Sequence, residues 1–115
     1  MPYLRKGDIV FAKFPYEEDK TLKKSRPCLI LAMDDKKQRF LASKITTAKL
    51  ERFWAFHLNA GNADMESGFL RFESWINLNR REWLSTSDYE FTIGRLKEEV
   101  LNKILEKFTA IFKSV

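Results

Sequence analysis

Residues 27–33, Pro27-Cys28-Leu29-Ile30-Leu31-Ala32-Met33, form an unbroken apolar run between Arg26 and the charged tetrad Asp34-Asp35-Lys36-Lys37. The run is strand-length and lacks polar alternation, which predicts a central β-strand covered on both faces. The tetrad reads as a turn, and residues 39–45 (RFLASKI) read as the returning strand, so the two runs form a β-hairpin. Upstream, residues 8–14 (DIVFAKF) begin after Lys6-Gly7, stop at Pro15 and read as a further strand. Residues 16–25 (YEEDKTLKKS) are polar and charged, a connection of the length that often carries function.

The pattern continues downstream. Residues 46–52 (TTAKLER) are a second polar connection, and 53–58 (FWAFHL) a strand. Residues 59–68, with two Gly and two Asn, read as a loop. Residues 69–76 alternate, with Leu70, Phe72, Ser74 and Ile76 on one side and Phe69, Arg71, Glu73 and Trp75 on the other. Residues 77–88 read as irregular and polar, anchored by Trp83 and Leu84, and 89–93 as a last short strand. After Gly94, residues 95–112 place Leu96, Val100, Leu101, Ile104, Leu105, Phe108, Ile111 and Phe112 on one stripe at helical period. That stripe is expected to pack on the sheet as a lid. Several short strands and one terminal helix predict a mainly β fold, a small, strongly bent antiparallel barrel.

Composition bounds the function. The chain has 115 residues, 44% hydrophobic and 32% charged, which fits one globular domain over residues 1–115. No apolar run approaches the roughly 20 residues of a membrane span. The single cysteine, Cys28, excludes an internal disulfide, so a cytoplasmic location is expected. The net charge is +5, and it is uneven. Up to His57 there are 13 Lys/Arg against 7 Asp/Glu, and from Leu58 onward 8 against 9. A basic N-terminal half points towards a polyanionic partner such as nucleic acid.

Elimination narrows the chemistry. A two-histidine ribonuclease mechanism is excluded because His57 is the only histidine; in its apolar segment it reads as structural. No phosphate-cradling glycine motif and no nucleophile elbow is present. The carboxylates fall in adjacent clusters, Glu17-Glu18-Asp19 and Asp34-Asp35, without the converging geometry of a metal pair, so neither metal nor cofactor is expected. Cys28 lies mid-strand and reads as an inert thiol. What remains is a cationic surface with hydroxyls. Lys20, Lys23, Lys24 and Arg26 surround Ser25, and Ser43, Lys44, Thr46, Thr47, Lys49 and Arg52 gather where the third strand ends. The hairpin register brings Arg26 level with Thr46. A guanidinium fork can hold a phosphate with two hydrogen bonds, and a threonine hydroxyl can donate to a neighbouring oxygen.

Lys6-Gly7-Asp8-Ile9-Val10, a charged loop, Ser25-Arg26-Pro27-Cys28-Leu29-Ile30-Leu31, Lys44-Ile45-Thr46-Thr47 and Ile93-Gly94-Arg95-Leu96 occur in that order. The succession resembles the MazF/PemK family of toxin ribonucleases. The resemblance implies an SH3-like barrel with a C-terminal helix, usually a homodimer. It also implies metal-independent cleavage of single-stranded RNA at short sequences, and a cognate antitoxin whose acidic or amphipathic tail covers the RNA groove. The family's catalytic arginine falls on Arg26 and its threonine on Thr46. Lys13, Lys23, Lys24, Ser43, Lys44, Thr47, Lys49 and Arg52 are expected to contact the RNA, with Phe14, Tyr16 or Phe53 as possible stacking partners for bases. The loop 16–20 departs from the family's glycine-rich versions, and 77–88 has no clear counterpart. Two alternatives remain from sequence: a non-catalytic or gyrase-poisoning barrel of the same class, and an SH3-like adaptor that binds peptides.

Overall fold

The computed structural model describes residues 3–113, and the side chains of residues 3–112. Seven strands form one antiparallel sheet: β1 (Asp8–Pro15), β2 (Lys23–Asp34), β3 (Arg39–Thr46), β4 (Ala55–Leu58), β5 (Met65–Gly68), β6 (Ser74–Ser85) and β7 (Tyr89–Leu96). A single 3-10 turn, Thr86–Asp88, joins β6 to β7, and helix α1 (Glu98–Lys113) follows. The strand order is β4-β6-β3-β2-β1-β7-β5. The sheet curls strongly, as the sequence predicts, and its two faces bury two cores.

The β2 run is the reason. Cys28 and Ile30 point into one core with Val10, Ala12, Phe14, Phe40, Ala42 and Leu84. Leu29 and Leu31 point into the other with Ile9, Ile45, Ile76, Leu78, Leu96 and Ile104 of α1. Alternate residues of one strand thus serve opposite faces, and the expectation of a doubly covered strand holds. The first core is built from β1, β2, β3 and β6, with Leu4 beside them. The second lies beneath α1, where Val100, Leu105, Phe108 and Ile111 pack against it. No helix among the described residues is long and apolar enough to cross a membrane.

Four expectations are corrected. Residues 69–73 are a connection in which Leu70 is buried in the second core and bridges Gly61, while Phe69 and Phe72 are more than half exposed; the strand begins at Ser74. Most of residues 77–88, read as irregular, is the body of β6. Its apolar alternation fails because of a bulge. Ser43 pairs with Arg81 but Lys44 pairs with Asn77, leaving Leu78, Asn79 and Arg80 unmatched. Within residues 59–68, read as loop, Met65–Gly68 form edge strand β5. The helix also starts later than its apolar stripe suggests. Arg95 pairs with Asp8 across β1, and its guanidinium lies 2.6 Å from the Asp8 carboxylate, which holds residues 95–96 in β7.

Edge strand β5 approaches β7 at Gly68 opposite Gly94. A Cβ on Gly94 would lie 2.5 Å from the Ser67 carbonyl oxygen and 3.2 Å from the Gly68 Cα. Backbone cannot yield as a side chain can. Gly94→Ala is therefore expected to destabilise the fold by about 1–3 kcal/mol, read as a lowered urea midpoint with the same slope.

Candidate active site at the barrel mouth

The β2–β3 ladder ends at Cys28 opposite Lys44. Beyond it each strand keeps only its other neighbour: Arg26 pairs with Ala12 on β1, and Thr46 pairs with Trp75 on β6. Extending the register by two further pairs sets Arg26 opposite Thr46. The two residues therefore stand on the two lips of a split in the sheet. Because paired residues share a face, Arg26 and Lys44 lie on the side of Ala12 and Cys28, the side of the first core. Both strands become polar where that core runs out.

Lys44 is half-buried, and its ammonium is held below the ordinary lysine range. Burial is the largest cause, followed by the positive charges of Arg26 and Arg80; Glu17 and Glu18 of the β1–β2 loop push the other way. Three cations thus share one mouth. Arg80 is the member that sequence reading missed. The β6 bulge turns it inward, where its guanidinium stacks 4.9 Å over Phe14 and donates to the Pro15 carbonyl and the Glu82 carboxylate. The bulge is itself pinned: Leu78 N–H donates to the Trp54 carbonyl (3.1 Å), Asn79 N–H to Asn77 Oδ1 (3.0 Å), and Arg81 Nη1 to the Leu78 carbonyl (3.2 Å). Burial raises the Glu82 carboxyl, but hydrogen bonds from Lys20 and Arg80 outweigh it and hold the group below its usual range. Lys20 reaches Glu82 at 2.9 Å and ties the β1–β2 loop to the mouth.

Thr46 is half-buried, and its Oγ1 accepts the Ala48 N–H at 3.1 Å. That bond shapes the turn out of β3 and uses one acceptor position; the O–H remains a donor.

The other sequence candidates separate. Lys24, Thr47 and Arg52 are exposed. Lys13 is exposed, pairs with Ser25, and lies on the face of β1 opposite Ala12 and Phe14, away from Arg26 and Lys44. Lys23 donates to both Asp88 carboxylate oxygens, at 3.1 and 3.2 Å, and clamps β2 to the 3-10 turn. Lys49 pairs with Glu51 at 2.9 Å on the surface. Ser43 is corrected outright: it is fully buried and donates to the Asn77 carbonyl at 2.6 Å, so it anchors the bulge and has no surface to offer RNA. Of the aromatic candidates, Phe14 is core and Phe53 is exposed. Burial pushes the Cys28 thiol up to about 12, in keeping with an inert group.

The sequence carries no clear signal for Arg80: Ile76, Leu78 and Leu84 keep one parity, so the bulge shows only in the strand register.

Among solved structures, the chain resembles an endoribonuclease in complex with its cognate antitoxin from a mycobacterial species. That pair is 15% identical, with 96% of each chain covered and a TM-score of 0.71. It also resembles MazF from Deinococcus radiodurans (14% identical, 97% of this chain and 99% of that one, TM-score 0.70). A third likeness is to the Mycobacterium tuberculosis toxin MazF-mt6 (18% identical, 92% and 96% covered, TM-score 0.67). At such identities these likenesses speak for the fold. Comparison with curated proteins gives no match. The family model described as PemK-like, MazF-like toxin of type II toxin–antitoxin system matches residues 5–112, so the chain belongs to that toxin family.

Proposed function

We propose that this toxin is a metal-independent endoribonuclease that cleaves single-stranded RNA at short sequences, with Arg26 and Thr46 at the scissile phosphate. The observation that carries the reading is the cation cluster at the barrel mouth. Arg26, Lys44 and Arg80 are close enough to depress the Lys44 ammonium, which is a cost without an anion and an advantage with one. A phosphodiester supplies that anion.

In the reaction, the ribose 2′-hydroxyl attacks the adjacent phosphorus, forming the 2′,3′-cyclic phosphate and breaking the bond to the 5′-oxygen. The attacking hydroxyl loses its proton, and the departing oxygen gains one. Charge grows on the non-bridging oxygens meanwhile. Arg26 faces that charge as a fixed planar donor pair, and Lys44 adds a second positive centre. Thr46 donates its O–H to a non-bridging oxygen or orients the attacking hydroxyl. A guanidinium does not give up its proton in a protein, so Arg26 acts by electrostatics and not as a proton carrier. Lys24, Thr47 and Arg52 flank the split and engage neighbouring phosphates, which makes binding salt-dependent.

The same cluster suits an acidic antitoxin segment, which would compete with RNA for it. Family membership and the complexed mycobacterial relative support such a partner. A homodimer and a cytoplasmic setting complete the proposal.

Purified protein is expected to cleave single-stranded RNA in the presence of EDTA. Arg26→Ala should lower kcat/KM by about 10²–10³ with an unchanged melting temperature. Thr46→Ser should keep most activity, because it retains both the O–H and the acceptor for Ala48; Thr46→Val should lose it. Retained cleavage by Arg26→Ala would remove the guanidinium from the mechanism.

Lys44 generates a second, opposite-signed expectation. Its folded pKa lies below the unfolded 10.5, so its charge costs stability at neutral pH, and the cost fades as pH rises through the folded pKa towards 10.5. Lys44→Met is expected to raise the melting temperature by about 2–4 °C at pH 7, with a shrinking gain towards pH 10.5. The same variant should bind RNA more weakly, with a salt slope reduced by about one.

A further inference from the structure

The row that contains Thr46 continues sideways across the sheet. Thr46 pairs with Trp75 on β6, and Trp75 pairs with His57 on edge strand β4. Laterally paired residues share a face, so all three stand on the face that carries the barrel mouth. The His57 and Trp75 rings lie 5.3 Å apart between centroids, tilted by 53°. Trp75 is only 9% exposed, whereas the His57 side chain is 42% exposed. The imidazole is thus propped on a fixed indole with its outer surface open to solvent. Glu73, itself exposed, brings Oε1 to 3.4 Å from His57 Nε2.

Distance decides what this group can do. Two inter-strand spacings put His57 about 10 Å from Thr46, counting between Cα atoms. That is beyond direct hydrogen-bond reach of a phosphate held at Thr46, which takes the histidine out of the bond-breaking step. It is well placed for the neighbouring nucleotide. Unpaired bases are bound by stacking on aromatic or imidazole planes, with the polar edge read by side-chain acceptors.

We propose that His57, backed by Trp75, is a stacking subsite for the base that flanks the scissile phosphate, and that Glu73 biases it towards cytosine or adenine over uracil. The inference rests on the ribonuclease reading for the direction of the strand and adds a specificity-determining site to it. The carboxylate of Glu73 accepts from the exocyclic amino groups of cytosine and adenine, whereas uracil presents a carbonyl at the equivalent position. His57 is a positioning residue in this scheme, and its contribution belongs to substrate binding.

The test uses uncleavable 2′-O-methyl oligonucleotides of C, A or U, bound to the full chain and followed by fluorescence anisotropy. The wild type is expected to bind the C and A oligomers more tightly than U. His57→Ala should weaken their binding about 10- to 100-fold, and His57→Phe should restore most of it, because the stacking plane returns. Glu73→Gln should erase the preference among the three. With unmodified RNA the His57→Ala loss should fall more on KM than on kcat. Unaltered binding by His57→Ala, or His57→Phe no better than alanine, overturns the inference. If the wild type also cleaves unmodified RNA in an Arg26-dependent manner, the ribonuclease reading survives that loss. Conversely, His57-dependent binding without any cleavage leaves a base subsite and removes the ribonuclease.

Discussion

Burial of β2 on both sides is the constraint from which the rest of the molecule follows. Cys28 and Ile30 fill one core while Leu29 and Leu31 fill another, so no solvent face remains over the middle of the strand. A strand so placed has to be central, and the sheet must curl for both of its edges to reach the core that α1 covers. Fully burying residues of this size contributes about 1.5–3 kcal/mol each, far more than any surface ion pair here. The same constraint locates the site. β2 cannot remain apolar and also meet solvent, so it turns polar at one end, where Lys24 and Arg26 emerge and the ladder to β3 stops. The split is a consequence of where the double core ends.

At that end the fold tolerates a local cost. Arg26, Lys44 and Arg80 crowd together, and burial disfavours the Lys44 charge before its neighbours do. Glu82 and the Pro15 carbonyl neutralise Arg80, and Glu17 and Glu18 partly offset Lys44. Arg26 has no such compensation among the contacts of the mouth. A core built only for stability would place an apolar residue at Lys44. Its retention in a partly desolvated position matches a site organised for an anion in advance, where the reorganisation has been done during folding.

Much of this was legible in the sequence. The doubly buried β2, the β2–β3 hairpin and the periodic helix follow from apolar spacing, because period reports directly which face is buried. The Arg26–Thr46 juxtaposition follows from hairpin arithmetic alone: 28 pairs with 44, so 26 lies opposite 46. Beyond the hairpin, the reading of β6 failed. A three-residue bulge shifts the phase of the strand between Asn77 and Arg81, so Leu78 serves one core and Leu84 the other, and the segment imitates an irregular loop. Arg80, the residue that the bulge redirects, was lost with it. Ser43 was misplaced for a related reason. A serine in an alternating strand looks like a polar surface position, and its buried bond to Asn77 exists only because the bulge exposes that carbonyl. His57 looked merely structural because its partners, Trp75 and Glu73, lie on another strand and its lead-in.

On the proposed function, chemistry and selectivity are borne by different kinds of backbone. Arg26, Lys44 and Arg80 project from strands whose positions are set by ladders on at least one side and by a packed core beneath. Such placement holds a guanidinium to the small tolerance that transition-state stabilisation requires. The polar connections at the same end, residues 16–22 and 47–54, and the edge strand β4 are less constrained. They carry the exposed groups, including Phe53, Thr47, Arg52 and His57. Substitution of those exposed groups leaves both cores intact and, on the proposed function, alters which bases are met on either side of the split. Loops and edges vary at low structural cost, whereas interior strands do not. A family that keeps one phosphate-gripping mouth and changes its RNA sequence would be expected to vary in these segments, and the departure of residues 16–20 from the glycine-rich loop falls in one of them.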